Sequence, residues 1–121
     1  GARQLARCLE ADGYSSSLVD LRGIEGLLHL KSGIAWLGGK TLLVIEALAS
    51  HPALRGWDLV RVPPGEEYAS NCVLVNDAIL FAEGFPLLER ALRERGHRLV
   101  VLPVSEFQKM DGGLSCLSLR F

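Results

Sequence analysis

The chain has 121 residues and a mass of 13.2 kDa, the size of one ordinary domain. Thirteen Lys and Arg against 14 Asp and Glu leave a formal charge of −1 and a pI near 6.3, which excludes the basic footprint of a nucleic-acid binder. With 49% hydrophobic and 22% charged residues the chain can bury a core, and disorder is excluded.

No apolar run reaches the ~18 residues of a membrane span, and no basic-then-apolar leader opens the chain. The three cysteines, Cys8, Cys72 and Cys116, are odd in number and lack CxxC spacing, so free thiols in the cytoplasm are expected. The opening Gly1-Ala2-Arg3 sits inside a helical pattern and has no Met, which reads as a piece of something longer.

Residues 1–12 place Ala2, Leu5, Ala6 and Leu9 on one helix face, and Gly13 supplies a C-terminal stop. Ser17 to Leu21 reads as a short strand. Gly33 to Leu37 and Thr41 to Ile45 form two apolar strands turned by Gly38-Gly39. A helix is predicted from Glu46 to Arg55, shortened by Pro52, with Gly56 after it and a strand at Leu59 to Val62. Cys72 to Val75 and Ala78 to Ala82 form a second hairpin around Asn76-Asp77. The best helix runs from Phe85 to Arg95, with Leu88, Ala91 and Leu92 on one face; Gly96 closes it, and the strand Leu99 to Leu102 follows. A last strand is expected from Cys116 to Phe121.

The stop glycines give a period: Gly13 to Gly56 is 43 residues and Gly56 to Gly96 is 40. Each unit is strand–strand–helix–strand, a propeller-like repeat signature. The alternative is a self-contained three-layer α/β domain with glycines at similar intervals by chance.

Polar residues collect where each unit's first strand begins: Gly26 to Ser32, Tyr68 to Val73 and Asp111 to Ser118. His29 to Cys72 is 43 residues and Cys72 to Cys116 is 44, so the three segments share one place in the period. In a cyclic arrangement such segments converge and bring His29 close to Cys116, as a Cys–His nucleophilic site requires. A thiolate would attack, and the imidazole would protonate an amine leaving group and then deprotonate water. Gly112 and Gly113 would let the backbone approach a ligand. The plainer reading makes the cysteine a small hydrophobe and the histidine a hydrogen-bonded core residue. Cys72 and Cys8 fit that plainer reading. His51 and His97 are expected at the surface, Trp36 and Trp57 in packing, and Glu66 and Glu67 in solvent. The charges of the Phe85 to Arg95 helix read as a solvated face. Neither a phosphate-cradling loop nor metal-ligand spacing is present.

Gly26-Leu27-Leu28-His29-Leu30-Lys31-Ser32, Ala69-Ser70-Asn71-Cys72 and Leu114-Ser115-Cys116-Leu117-Ser118 resemble the C-terminal half of the dimethylarginine dimethylaminohydrolase family, within the guanidine-modifying, amidinotransferase-like superfamily. The resemblance covers the whole chain. It implies that residues 1–121 are two to three blades, without an internal domain boundary, of an α/β propeller with pseudo-fivefold symmetry, built of ββαβ units of about 40 residues. It implies Cys116 as nucleophile, His29 as general acid/base, and a backbone carbonyl at Met110 that holds a substrate guanidinium. The implied substrate is a methylated arginine, cleaved to citrulline and an amine through a thiouronium intermediate, with no cofactor. The family's acidic partner of the histidine, its guanidinium-reading aspartates and its carboxylate-holding arginines would precede Gly1. Association with a second copy or with a missing N-terminal half is therefore expected. Membrane and nucleic-acid partners are not. Two other functions fit the same residues: an arginine deiminase-like enzyme, and a non-catalytic interaction domain that keeps the fold.

Overall fold

The computed structural model describes residues 1–119. Helix α1 spans Ala2–Ala11, and the chain then runs without regular structure to a short 3-10 helix at Leu30–Ser32. Strands β1 (Ile34–Gly38) and β2 (Thr41–Val44), helix α2 (Glu46–Ala49) and strand β3 (Asp58–Arg61) form one unit. A 3-10 helix at Glu67–Ser70 leads into a second unit: β4 (Val73–Val75), β5 (Ala78–Ala82), α3 (Pro86–Glu94) and β6 (Arg98–Leu102). Helix α4 (Ser105–Gln108) follows.

The two units have the same topology. In each three-stranded sheet the first two strands are an antiparallel hairpin, and the third lies parallel to the second after a helical crossover. Gly38 and Gly39 turn the first hairpin with φ of 106° and 54°, a region that glycine enters without a Cβ penalty. Asn76, at φ 54°, does the same for the second. The stop glycines Gly13, Gly56 and Gly96 also have positive φ, as the periodic reading required.

One core joins both units. Leu43, Val44 and Leu48 of the first unit belong to the same apolar cluster as Ile79, Phe81, Leu88 and Leu92 of the second, and β1 packs against β4. A smaller cluster of Val73, Ala82, Val104 and Leu114 lies beside it, with Phe85 packed against both. Leu114 is thus a buried anchor two residues before Cys116.

Several sequence expectations are corrected. Ser17 to Leu21 is not a strand: Val19 and Leu21 pack on the core, while the Asp20 carboxylate accepts from the Arg22 backbone N–H at 3.0 Å and closes a local turn. The predicted Glu46 to Arg55 helix divides at Pro52, which opens a separate 3-10 turn, Pro52–Leu54, with His51 Nδ1 accepting from Ala53 N–H. Cys116 to Leu119 is turn and coil rather than strand, and Arg120 and Phe121 of that expected strand lie outside the described residues. Trp36 and Trp57 are both exposed, Trp36 donating its indole N–H to the Gly39 carbonyl. Glu66 is not solvated. It is 8% exposed, and its two carboxylate oxygens accept the N–H groups of Leu87 and Leu88 at the start of α3.

Candidate active site

The three segments that begin each unit's first strand meet, as their common place in the period suggested. Ser70 Oγ lies 2.7 Å from the Ser32 carbonyl and 2.7 Å from that of Glu67, its single proton shared between them. Lys31 Nζ reaches the Ser115 carbonyl at 3.5 Å. Asn71 accepts the Ser115 N–H at 2.8 Å and donates to Cys116 Sγ at 3.8 Å.

Cys116 stands on a tight turn. Its own N–H and that of Leu117 both go to the Gly113 carbonyl, at 2.9 and 3.1 Å, and Leu114 pins the turn to the smaller core. The thiol is exposed and its pKa is lowered, first by a hydrogen bond from the Gly113 backbone and then by the Asn71 amide. Ser115 and the Lys31 charge lower it further, against the opposing effect of burial. Cys72 has the opposite environment: buried in the core, its thiol is pushed up to about 12. Cys8 is exposed on α1.

Cys116 and His29 line one cavity of about 680 Å³. Leu27, Ser32, Tyr68, Asn71 and Gln108 contribute to its wall, together with the carboxylates Glu67 and Asp111. Among the described residues no hydrogen bond joins His29 to Cys116, whose Sγ accepts from Asn71. Burial and a nearby negative Cys116 raise the pKa of Tyr68, whose hydroxyl donates to the Gly112 carbonyl at 2.6 Å. Met110 lies outside the wall, its side chain 84% exposed between the lining residues Gln108 and Asp111.

Two site features differ from the sequence reading. Gly113 does not leave room for a ligand: a Cβ there would fall 2.1 Å from Asn71 Nδ2, so the missing side chain makes room for Asn71. Asn71, given no role, is a wall residue, whereas Glu67 is exposed as expected and also borders the cavity. Asn71 was visible only as part of a polar cluster, because its partners are 44 and 45 residues away.

No protein-family model matches the chain. A solved amidinotransferase from Microseira wollei superposes with a TM-score of 0.80 at 20% identity, covering 98% of this chain and 37% of that one. The architecture is the α/β fold of the amidinotransferase superfamily. Within it, N(G),N(G)-dimethylarginine dimethylaminohydrolase from Pseudomonas aeruginosa is 39% identical over 121 residues, which is 100% of this chain and 46% of that protein. The protein of the same name from Streptomyces coelicolor is 31% identical over 121 residues, 99% of this chain and 45% of its own length. Two solved dimethylarginine dimethylaminohydrolases superpose with a TM-score of 0.92 at 38% identity, each covering 100% of this chain and 46% of theirs. One, from Pseudomonas aeruginosa, has a cysteine replaced by serine and is complexed with citrulline. The other has a histidine replaced by glycine and is an adduct with S-methyl-L-thiocitrulline. Over its whole length the chain is homologous to the C-terminal half of the dimethylarginine dimethylaminohydrolases. It spans about half the length of the curated relatives it matches.

Proposed function

We propose that the chain carries the cysteine half of a hydrolase that converts methylated arginine to citrulline and an amine. The observation that carries this reading is the shared cavity, onto which a thiol of lowered pKa and an imidazole both open. The substrate class draws support from the homologues' name and from the citrulline complex of one of them. The two positions substituted in the solved relatives are separated by the same interval as His29 and Cys116.

The Cys116 thiolate bonds to the guanidinium carbon. His29, protonated, gives its proton to the dimethylamino nitrogen as that C–N bond breaks, and dimethylamine leaves a thiouronium intermediate. The now neutral imidazole takes a proton from water, whose oxygen bonds to the same carbon. The C–S bond breaks, the thiolate returns, and loss of the remaining proton to solvent leaves citrulline. Glu67 and Asp111 supply negative charge in the cavity wall for a cationic substrate. The Met110 carbonyl, next to Asp111 in the chain, holds the guanidinium in this reading.

The same reading makes the two ββαβ units consecutive blades of a pseudo-fivefold propeller, with residues 1–121 one continuous part of it. Their repeated topology and the packing of β1 on β4 support this. Leu28 at 79% exposed and Leu119 at 90% leave apolar surface for a second copy or a complementary N-terminal half, which would supply the remaining substrate-binding groups. A cytoplasmic location goes with three free thiols, and among the described residues no helix is long and apolar enough to cross a membrane.

The test is citrulline release from dimethylarginine, by the chain alone and by its assembly with a complementary half. Release that disappears with Cys116→Ser is expected. Release that survives Cys116→Ser overturns the mechanism. Preference for unmethylated arginine would mark a deiminase, and an assembly that binds dimethylarginine without turnover would mark a non-catalytic domain.

A further inference from the structure

We propose that Asn71 is a positioning residue for Cys116, gripping the turn through its carboxamide oxygen and aiming an amide N–H at Sγ through its nitrogen. This deepens the reading of Cys116 as nucleophile and shares its premise that this thiol reacts.

Three features fix the carboxamide. Its oxygen accepts the Ser115 N–H at 2.8 Å, which decides which end is oxygen and leaves the NH2 group facing Sγ at 3.8 Å. Asn71 is buried, and its backbone N–H closes the preceding 3-10 turn on the Tyr68 carbonyl at 3.1 Å, so the side chain springs from a fixed base. Finally, a Cβ at position 113 would fall 2.1 Å from Nδ2 and 2.3 Å from Cγ, so glycine is the residue that lets the carboxamide occupy this place.

The consequence for the thiol is electrostatic. An amide N–H at sulfur favours the thiolate over the thiol. The other charged or titratable groups that act on this sulfur or line its cavity belong to different segments: Lys31 and His29 before β1, Glu67 and Tyr68 before β4, and Asp111 after α4. Asn71 differs from them in gripping both the turn and the sulfur.

Asn71→Asp separates the two tasks. It keeps an oxygen for the Ser115 N–H at nearly the same volume, but replaces the donor with an anion. Gly113→Ala is the uncharged counterpart, because its methyl displaces the carboxamide. The experiment measures alkylation of Cys116 by iodoacetamide in the intact chain across pH, resolved by peptide mass, with Cys8 as internal reference. In both variants the apparent thiol pKa is expected to rise by about one unit, with about tenfold less thiolate near pH 7, while the Cys8 profile stays in place. If Asn71→Asp does not fold, Gly113→Ala carries the measurement. A Cys116 profile unmoved in the folded variants overturns the proposal and leaves Asn71 as packing. Dimethylarginine turnover separates this result from the function itself. A shifted profile in a protein without turnover keeps the positioning role and removes the hydrolase reading. An unshifted profile with Cys116-dependent turnover does the reverse.

Discussion

The hydroxyl of Ser70 meets the carbonyl of Ser32 at 2.7 Å, joining the segments that precede β4 and β1. Ser70 is fully buried, so its hydroxyl has no water as an alternative partner. Ser70→Ala should cost about 1 kcal/mol, the net worth of the hydrogen bond that it removes. Urea unfolding checks this: the midpoint should fall with an unchanged slope.

The carboxylate of Glu66 occupies the N-terminus of α3, accepting from Leu87 and Leu88 at 3.0 and 2.7 Å. Glu66→Ala should lose about 2 kcal/mol, since two helix-end donors would be stranded. Glu66→Gln retains one acceptor oxygen and should lose about half as much. Equal losses in the two variants, measured by denaturant unfolding, would mean that the carboxylate does not cap this helix.

Cys72 makes stability fall in alkali. Its folded pKa of about 12 exceeds the ordinary 9.0, so the folded state holds a proton that the unfolded state releases. The contribution is fully present below pH 9.0 and is lost as pH rises toward 12, at about 1.4 kcal/mol per pH unit within that window. Because other groups also titrate there, the measurement is the difference between wild type and Cys72→Ala. That difference should shrink from pH 9.0 upward.

The three thiols should separate kinetically at neutral pH. Cys116, exposed and with a lowered pKa, should alkylate before Cys8, and buried Cys72 should react only on unfolding. His29→Ala should slow the Cys116 reaction several-fold if the imidazolium supports the thiolate across the cavity. An unchanged rate would mean that the two groups share a cavity without being coupled.

Much of the fold was legible because it is written in local pattern. Hairpins around Gly38-Gly39 and Asn76-Asp77, and a helix ending before Gly96, need only near neighbours in sequence. The rest depended on distant partners. Val19 and Leu21 have the apolar character of a strand but bury against the core as coil. Glu66 looks like a loop charge until α3, some twenty residues later, presents its N-terminus. At the candidate site, His29 and Cys116 stand out through residue type, period and family resemblance. Asn71 does not, because an asparagine carries no signal for a backbone N–H that folding brings to it from residue 115.

Residues 66–71 have a dynamic consequence. Within six positions Glu66 holds α3, Tyr68 stacks on Phe85 at 5.6 Å and holds the Gly112 carbonyl, Ser70 holds the segment before β1, and Asn71 holds the Cys116 turn. Opening the turn by itself breaks few of these bonds, whereas releasing the segment breaks all of them together. Such a segment behaves as one cooperative unit in amide hydrogen exchange. The Ser115 amide, although it lies beside an exposed thiol, should exchange at a rate close to those of Leu87 and Leu88, and Ser70→Ala should accelerate all three.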